Sequence, residues 1–245
     1  MFQFPPFRGF VKIFVIACVG MFILQMIATK TLPLVGPGID QISYYLGLVP
    51  ERFLQGHFYA LFTWVFLHST DMIFHILFNM LGLWMFGAMI QEELGDKRFG
   101  LFCLFGTLVS GGAVVVGSLW NEASFISPTI GASGIVFATL VGYARIHPNQ
   151  TVIFYIFPMK IKYLAALLVL VDAFFMASGK DGNVSYVAHL AGAAYGFFAI
   201  RIFLGHGGMG GGWLQKVTES LSQKKKKRHL RIVYPDEQDQ RRTYH

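Results

Sequence analysis

The stretch Gly131-Ala132-Ser133-Gly134-Ile135-Val136-Phe137-Ala138-Thr139-Leu140-Val141-Gly142-Tyr143-Ala144-Arg145 decides how the rest of the chain is read. It is an apolar helical segment that opens on a serine among small residues and closes on an arginine. Its length of about 15 residues covers roughly 22 Å at about 1.5 Å per residue, against a hydrocarbon core about 30 Å thick. With Arg145 at one membrane surface, Ser133 lies well beneath the other. A helix that starts inside a bilayer needs water or protein around its free N–H groups, so Ser133 is expected at the bottom of a water-accessible cavity. The helix start also offers backbone donors and a positive dipole end, both favourable to a developing oxyanion. A serine in such a place is ordinarily an N-cap or a packing residue, and the surrounding chain must decide between the readings.

Composition supports the membrane premise. Of 245 residues, 54% are hydrophobic and only 13% charged, which with long uncharged runs reads as a polytopic membrane protein. The two cysteines, Cys18 and Cys103, lie in apolar segments and read as small buried residues rather than a disulfide or metal pair.

Outward from Ser133, the apolar segments number six. The first is expected from about Phe10 to Ala28; its apolar run is long for a signal peptide and no cleavage site follows. A loop rich in Pro and Gly covers residues 30–57. The aromatic stretch Phe58–Leu67 is too short to span and is expected in the interface. The second span runs from about Ile73 to Gln91 and the third from Phe99 to Leu119. The short central fourth, opening at Gly131, stops near Tyr143. Val152–Phe157 is a short interfacial excursion, and the fifth and sixth spans cover about Tyr163–Ala177 and Val184–Leu204. The expectation is therefore an all-α membrane domain over residues 1–204, followed at 205–245 by a Gly-rich linker and a basic tail.

Charge placement fixes an orientation. With the N-terminus in the cytoplasm, 17 of the 20 Lys and Arg fall on the cytoplasmic side, leaving Lys30, Arg52 and Lys180 opposite. Both termini are thus expected in the cytoplasm, and the run Lys224–Arg228 is expected near anionic headgroups rather than on nucleic acid. A bacterial inner membrane is the expected location, since no organelle-targeting segment is evident.

Titratable and polar side chains then gather near one surface. His189 lies early in the sixth span, followed on its face by Gly192 and Gly196; Ser133, Phe137 and Val141 trace a matching stripe on the fourth, flanked by Gly134, Ala138 and Gly142. Small residues let two helices approach closely, which would bring Ser133 Oγ to the His189 ring. His75 and Asn79, four residues apart, share one face of the second span and can donate N–H groups to an oxyanion. An intramembrane histidine is a functional-site hypothesis by default. A hydroxyl, an imidazole and amide donors are a minimal set for serine nucleophilic catalysis. No His-Glu-x-x-His zinc pair is present, and an aspartyl mechanism needs two opposed carboxylates, whereas Asp172 alone lies within a span; it reads as a structural polar contact, with a proton-relay role as the other option. The Gly-x-Ser-x-Gly elbow fails because Ile135 holds the final glycine position.

These motifs together resemble the rhomboid intramembrane serine proteases: His75-x-x-x-Asn79 in the second span, Gly131-Ala132-Ser133-Gly134 opening the fourth, and Ala188-His189-x-x-Gly192-x-x-x-Gly196 in the sixth. The resemblance covers about residues 8–204 and implies a six-helix rhomboid-like bundle. It implies a serine–histidine dyad of Ser133 and His189 without an acidic third member, and an oxyanion hole from the Ser133 N–H with His75 and Asn79. Gly131, Gly134, Phe137, Gly192 and Gly196 are its supporting residues. Cofactors and metals are not expected, and the substrates implied are single-span membrane proteins cut in or near the transmembrane segment. A catalytically inactive relative that binds transmembrane segments is the alternative. Three positions depart from the family pattern. Tyr59-Ala60 stands where Trp-Arg is common, Phe137 where a tyrosine commonly stacks on the histidine, and Gln91 where a glutamate often lies.

Overall fold

A computed structural model describes residues 5–34, 39–120, 122–154, 157–178 and 186–205. The expected basic tail and nearly all of its linker lie outside these residues. Five helices are long and apolar enough to cross a membrane, at Gly9–Thr31, Ile73–Leu94, Asp96–Ser118, Ile161–Ser178 and Tyr186–Phe203, and the shorter apolar Ser133–Ile146 falls among them. The chain is an all-α polytopic bundle, and five of the six expected spans meet the length a membrane requires. The sixth, fourth in order, has 14 residues, about 21 Å of helix. The outer faces are apolar: Ile13, Leu170, Phe174 and Phe198 are all exposed. Aliphatic and aromatic side chains turned outward on long helices suit lipid rather than water as the surrounding solvent.

In chain order, α1 is Gly9–Thr31, and the first loop carries α2 (Gln41–Leu46), α3 (Pro50–Leu54) and α4 (Ala60–Thr63) with a 3₁₀ turn at Trp64–Phe66. The second long helix is α5 (Ile73–Gly82), a π-helical turn at Leu83–Gly87, and α6 (Ala88–Leu94). Then come α7 (Asp96–Ser118), the short α8 (Glu122–Ile126), the central α9 (Ser133–Ile146), the hairpin strands β1 (Thr151–Phe154) and β2 (Phe157–Lys160), α10 (Ile161–Ser178) and α11 (Tyr186–Phe203). Two local findings refine the sequence expectations. The excursion at 152–157 is part of an antiparallel hairpin, with Val152 opposite Met159 and Ile153 opposite Pro158. The second long helix carries an extra residue in its middle, a feature that sequence periodicity does not announce.

Buried polar residues tie the first loop to the bundle, because an amide inside an apolar core must find partners. Gln25, fully buried on α1, donates to Ser43 Oγ at 2.8 Å and accepts from the His68 backbone N–H at 3.0 Å. Asp40 caps α2 by accepting from the Ser43 N–H at 2.8 Å and from Ser43 Oγ at 2.6 Å. Gln91 performs the same service at the other end of α1. Its Oε1 accepts from the Val11 N–H at 2.8 Å and its Nε2 donates to the Arg8 carbonyl at 3.0 Å. At the place where Tyr59-Ala60 replaces the common pair, Tyr59 donates to the Tyr45 carbonyl at 3.0 Å, and the Arg52 guanidinium lies over the Tyr44 and Tyr45 rings.

The helices around α9 are held by small residues. A Cβ built on Gly192 would lie 2.1 Å from the Gly134 carbonyl oxygen, and one on Gly196 would lie 2.1 Å from that of Ala138. Neither clash can be relieved by rotating a side chain, since both obstacles are backbone. The glycines let α11 pack on α9 at main-chain distance, as expected for the two small-residue stripes. On the opposite side of α9, a Cβ on Gly82 of α5 would meet Val136 at 2.6 Å.

Candidate active site

Ser133 opens α9 immediately after a loop pinned on both sides. Leu48 and Thr129 exchange backbone hydrogen bonds of 3.0 and 2.9 Å, and the Gly131 N–H donates to the Trp64 carbonyl at 3.0 Å. Gly131 has φ of +121°, in the region that favours glycine. A Cβ at that position would also sit 2.7 Å from His75 Nε2. The first loop thus sets the position of the serine, and glycine at 131 leaves room for the His75 ring.

His189 reaches Ser133 from the first turn of α11. Its Nε2 lies 2.6 Å from Ser133 Oγ, a hydrogen-bond distance at which a hydroxyl can pass its proton to an imidazole nitrogen. The Phe137 ring, one turn along α9, stacks on the imidazole at 4.8 Å between centroids with an interplanar angle of 12°. The ring stacking expected at this place is present without a phenolic hydroxyl. Tyr186 meets the imidazole edge-on at 6.5 Å. The close α9–α11 approach at Gly192 and Gly134 is what brings the two side chains within hydrogen-bond distance.

His75 stands on the first turn of α5 beside Gly131. Its Nδ1 accepts from the Ser69 N–H at 3.3 Å. A neutral ring whose Nδ1 accepts carries its proton on Nε2, and Nε2 is the nitrogen that faces Gly131. Asn79, one turn further on, donates one amide hydrogen to the His75 carbonyl at 2.7 Å and retains a second. The Asn79 side chain is buried. A Cβ at Gly131 would meet both His75 Nε2, at 2.7 Å, and Ser133 Oγ, at 3.8 Å, so the His75 N–H and the start of α9 stand beside the serine hydroxyl, where N–H groups can receive negative charge on an oxygen. His68 packs behind His75 at 5.2 Å between ring centroids and is fully buried.

From sequence, Asp172 reads as a structural polar contact with a proton-relay role as the other option, and the resemblance implies a histidine without an acidic partner. The structure corrects the last point: Asp172 Oδ2 on α10 lies 2.6 Å from His189 Nδ1. The two side chains are 13% exposed each. The pairing depends on how α10 and α11 are rotated against each other, which no periodicity within either helix reveals. The one available signal was the lone carboxylate in an apolar span, since such a group needs a partner. Among the described residues, no three His, Cys, Asp or Glu side chains converge as metal ligands would.

Comparison with known proteins shows which family the chain falls in. A family model described as the Rhomboid domain matches residues 55–206, which run from the end of α3 through α11 and include His75, Asn79, Ser133, Asp172 and His189. The chain is similar to RHOMBOID-like protein 1 of Arabidopsis thaliana, at 32% identity over 71% of this chain and 42% of that protein. It is also similar to Rhomboid protein 1, mitochondrial, of Saccharomyces cerevisiae, at 30% identity over 52% of this chain and 37% of that one. The chain spans less than half the length of these curated relatives. With the family model covering more than half of its residues, and with apolar helices long enough to cross a membrane, the chain belongs to the rhomboid family.

Proposed function

We propose that this integral membrane protein is an intramembrane serine endopeptidase acting through Ser133 and His189. The observation that carries the reading is the 2.6 Å contact between Ser133 Oγ and His189 Nε2 at a helix start within an apolar bundle. Family membership supports it, because rhomboid proteins are in general serine proteases of membranes or inactive variants of them.

In the first half-reaction, Ser133 Oγ bonds to the scissile carbonyl carbon and its proton passes to His189 Nε2. The carbonyl oxygen becomes an oxyanion received by the Ser133 N–H, His75 Nε2–H and the second amide hydrogen of Asn79. The C–N bond then breaks as Nε2 returns the proton to the leaving nitrogen, leaving an acyl-serine. Water, deprotonated by the same nitrogen, bonds to the acyl carbon and releases Ser133. Because Ser133 lies among spanning helices, the substrates are single-span membrane proteins cut in or near their transmembrane segment, where the backbone unwinds readily. The Lys/Arg asymmetry supports cytoplasmic termini and a basic tail near anionic lipid.

A fluorophosphonate probe tests the nucleophile without a substrate. Covalent labelling mapped to Ser133 by mass spectrometry, lost in Ser133→Ala, is the expected result. A folded wild-type protein that resists the probe would move the assignment to an inactive rhomboid-like protein that binds transmembrane segments.

A further inference from the structure

We infer that Asp172 is a positioning carboxylate that completes a Ser133–His189–Asp172 triad in this membrane site. The inference rests on the serine-protease reading above and adds a residue to it. It stands on how the imidazole's two nitrogens are divided. Nε2 faces Ser133 Oγ and Nδ1 faces Asp172 Oδ2, each at 2.6 Å. A carboxylate accepts and does not donate, so Nδ1 must carry the proton, and Nε2 then presents its lone pair to the serine hydroxyl. The carboxylate thereby selects the one neutral tautomer in which His189 can act as a base. When Nε2 takes the serine proton, the adjacent negative charge offsets the imidazolium, and the Nδ1 proton stays on His189 throughout.

Three further observations favour this role over a plain interhelical contact. First, Asp172 comes from a helix other than that of His189 or Ser133, so α9, α10 and α11 each supply one member. Second, the other described neighbours of the ring, Phe137 on α9 and Tyr186 on α11, are not carboxylates, and His75 on α5 turns its Nε2 to Gly131; among the described residues, Asp172 is the acidic group at the imidazole. Third, a carboxylate among apolar spans is costly unless paired, and its pairing atom is the catalytic base. Phe175 stacks on Tyr186 at 6.0 Å and 13°, fixing α10 against α11 one turn from the Asp172–His189 hydrogen bond.

The test is kinetic, on the full chain in liposomes with a single-span reporter. Asp172→Asn is expected to lower kcat by roughly 10²- to 10⁴-fold, the range over which loss of the orienting carboxylate acts in soluble triads. KM and the thermal midpoint are expected to change little, and Asp172→Glu to restore part of kcat. A merely structural contact would instead lower the thermal midpoint and leave kcat within about threefold for the folded fraction, which would overturn the inference while leaving Ser133 and His189 in place. An inert wild type would overturn both. Should Asp172→Asn fail to fold, ¹⁵N spectra of histidine-labelled wild type still decide: Nδ1 of His189 protonated and Nε2 bare supports the triad, and the reverse refutes it.

Discussion

The α9–α11 seam converts a single methyl group into a displacement of the reacting atoms, which makes Gly192→Ala the sharpest structural probe. The new Cβ would stand 2.1 Å from the Gly134 carbonyl oxygen, 2.8 Å from its carbon and 3.0 Å from its Cα. An ordinary carbon–oxygen contact is about 3.4 Å or more, so α11 must retreat from α9 by about 1 Å. His189 lies three residues away on the same helix and moves with it, lengthening a contact that is now 2.6 Å. Misplacement of this size costs about 100-fold in rate, and the overpacking costs about 1–3 kcal/mol of stability. Reporter cleavage and fluorophosphonate labelling in liposomes, with the thermal midpoint measured alongside, give both quantities. Gly20→Ala is the control, since a Cβ there meets nothing within 4 Å; it should leave activity unchanged. If Gly192→Ala retains activity within about threefold of wild type, the main-chain packing does not set the Ser133–His189 distance and the reasoning fails.

Other expectations come from the same structure. Removing one oxyanion donor, by His75→Ala or Asn79→Ala, should lower kcat about 10²- to 10³-fold with the thermal midpoint little changed for the half-buried His75; a kcat unchanged from wild type in both variants would place the oxyanion elsewhere. Gln91→Glu keeps the acceptor for the Val11 N–H but removes the donor that the Arg8 carbonyl needs, so it should destabilise the fold by about 1–3 kcal/mol at neutral pH, read as a lower thermal midpoint in detergent. The pKa of His68, in the loop before α5, is pushed down to about 3 by burial and by the neighbouring His75, against a weaker opposing pull from the Phe66 backbone carbonyl. Below its ordinary value of about 6.5 the unfolded chain takes up a proton that the folded chain refuses, so stability is lost as pH falls from about 6.5 toward 3, by about 1.4 kcal/mol per unit. His68→Phe should flatten that part of the pH dependence, and an unchanged slope would show that His68 does not contribute it.

Much of this fold is legible in sequence because bilayers impose a simple rule on length and polarity. The five long helices stand within a few residues of their expected positions, and Ser133–Ile146 is short as expected, because uninterrupted apolar runs and the breaks at Pro148 and Asn149 carry that information locally. The stripes around Gly134 and Gly192 were readable as well, since their spacing follows helical periodicity. What depends on contacts between distant segments was not. Asp172 meets His189 through the relative rotation of α10 and α11. The first loop takes its shape from Gln25, Ser43 and Asp40 meeting across α1 and α2, and no local pattern encodes that triangle. The hairpin at 151–160 is short, and its strands read equally as a loop until Ile161 bonds back to Gln150 at 2.9 Å. The π turn at Leu83–Gly87 leaves the apolar character of its helix unaltered and so leaves no trace in composition.

The central claim is that Ser133 and His189 form one catalytic unit, and cleavage of a single-span reporter by reconstituted wild type, Ser133→Ala and His189→Ala tests it most directly. Wild type should cut within or beside the transmembrane segment, and each variant, with an unchanged thermal midpoint, should lose activity to background. Cleavage by either folded variant at a rate near that of wild type would contradict the account.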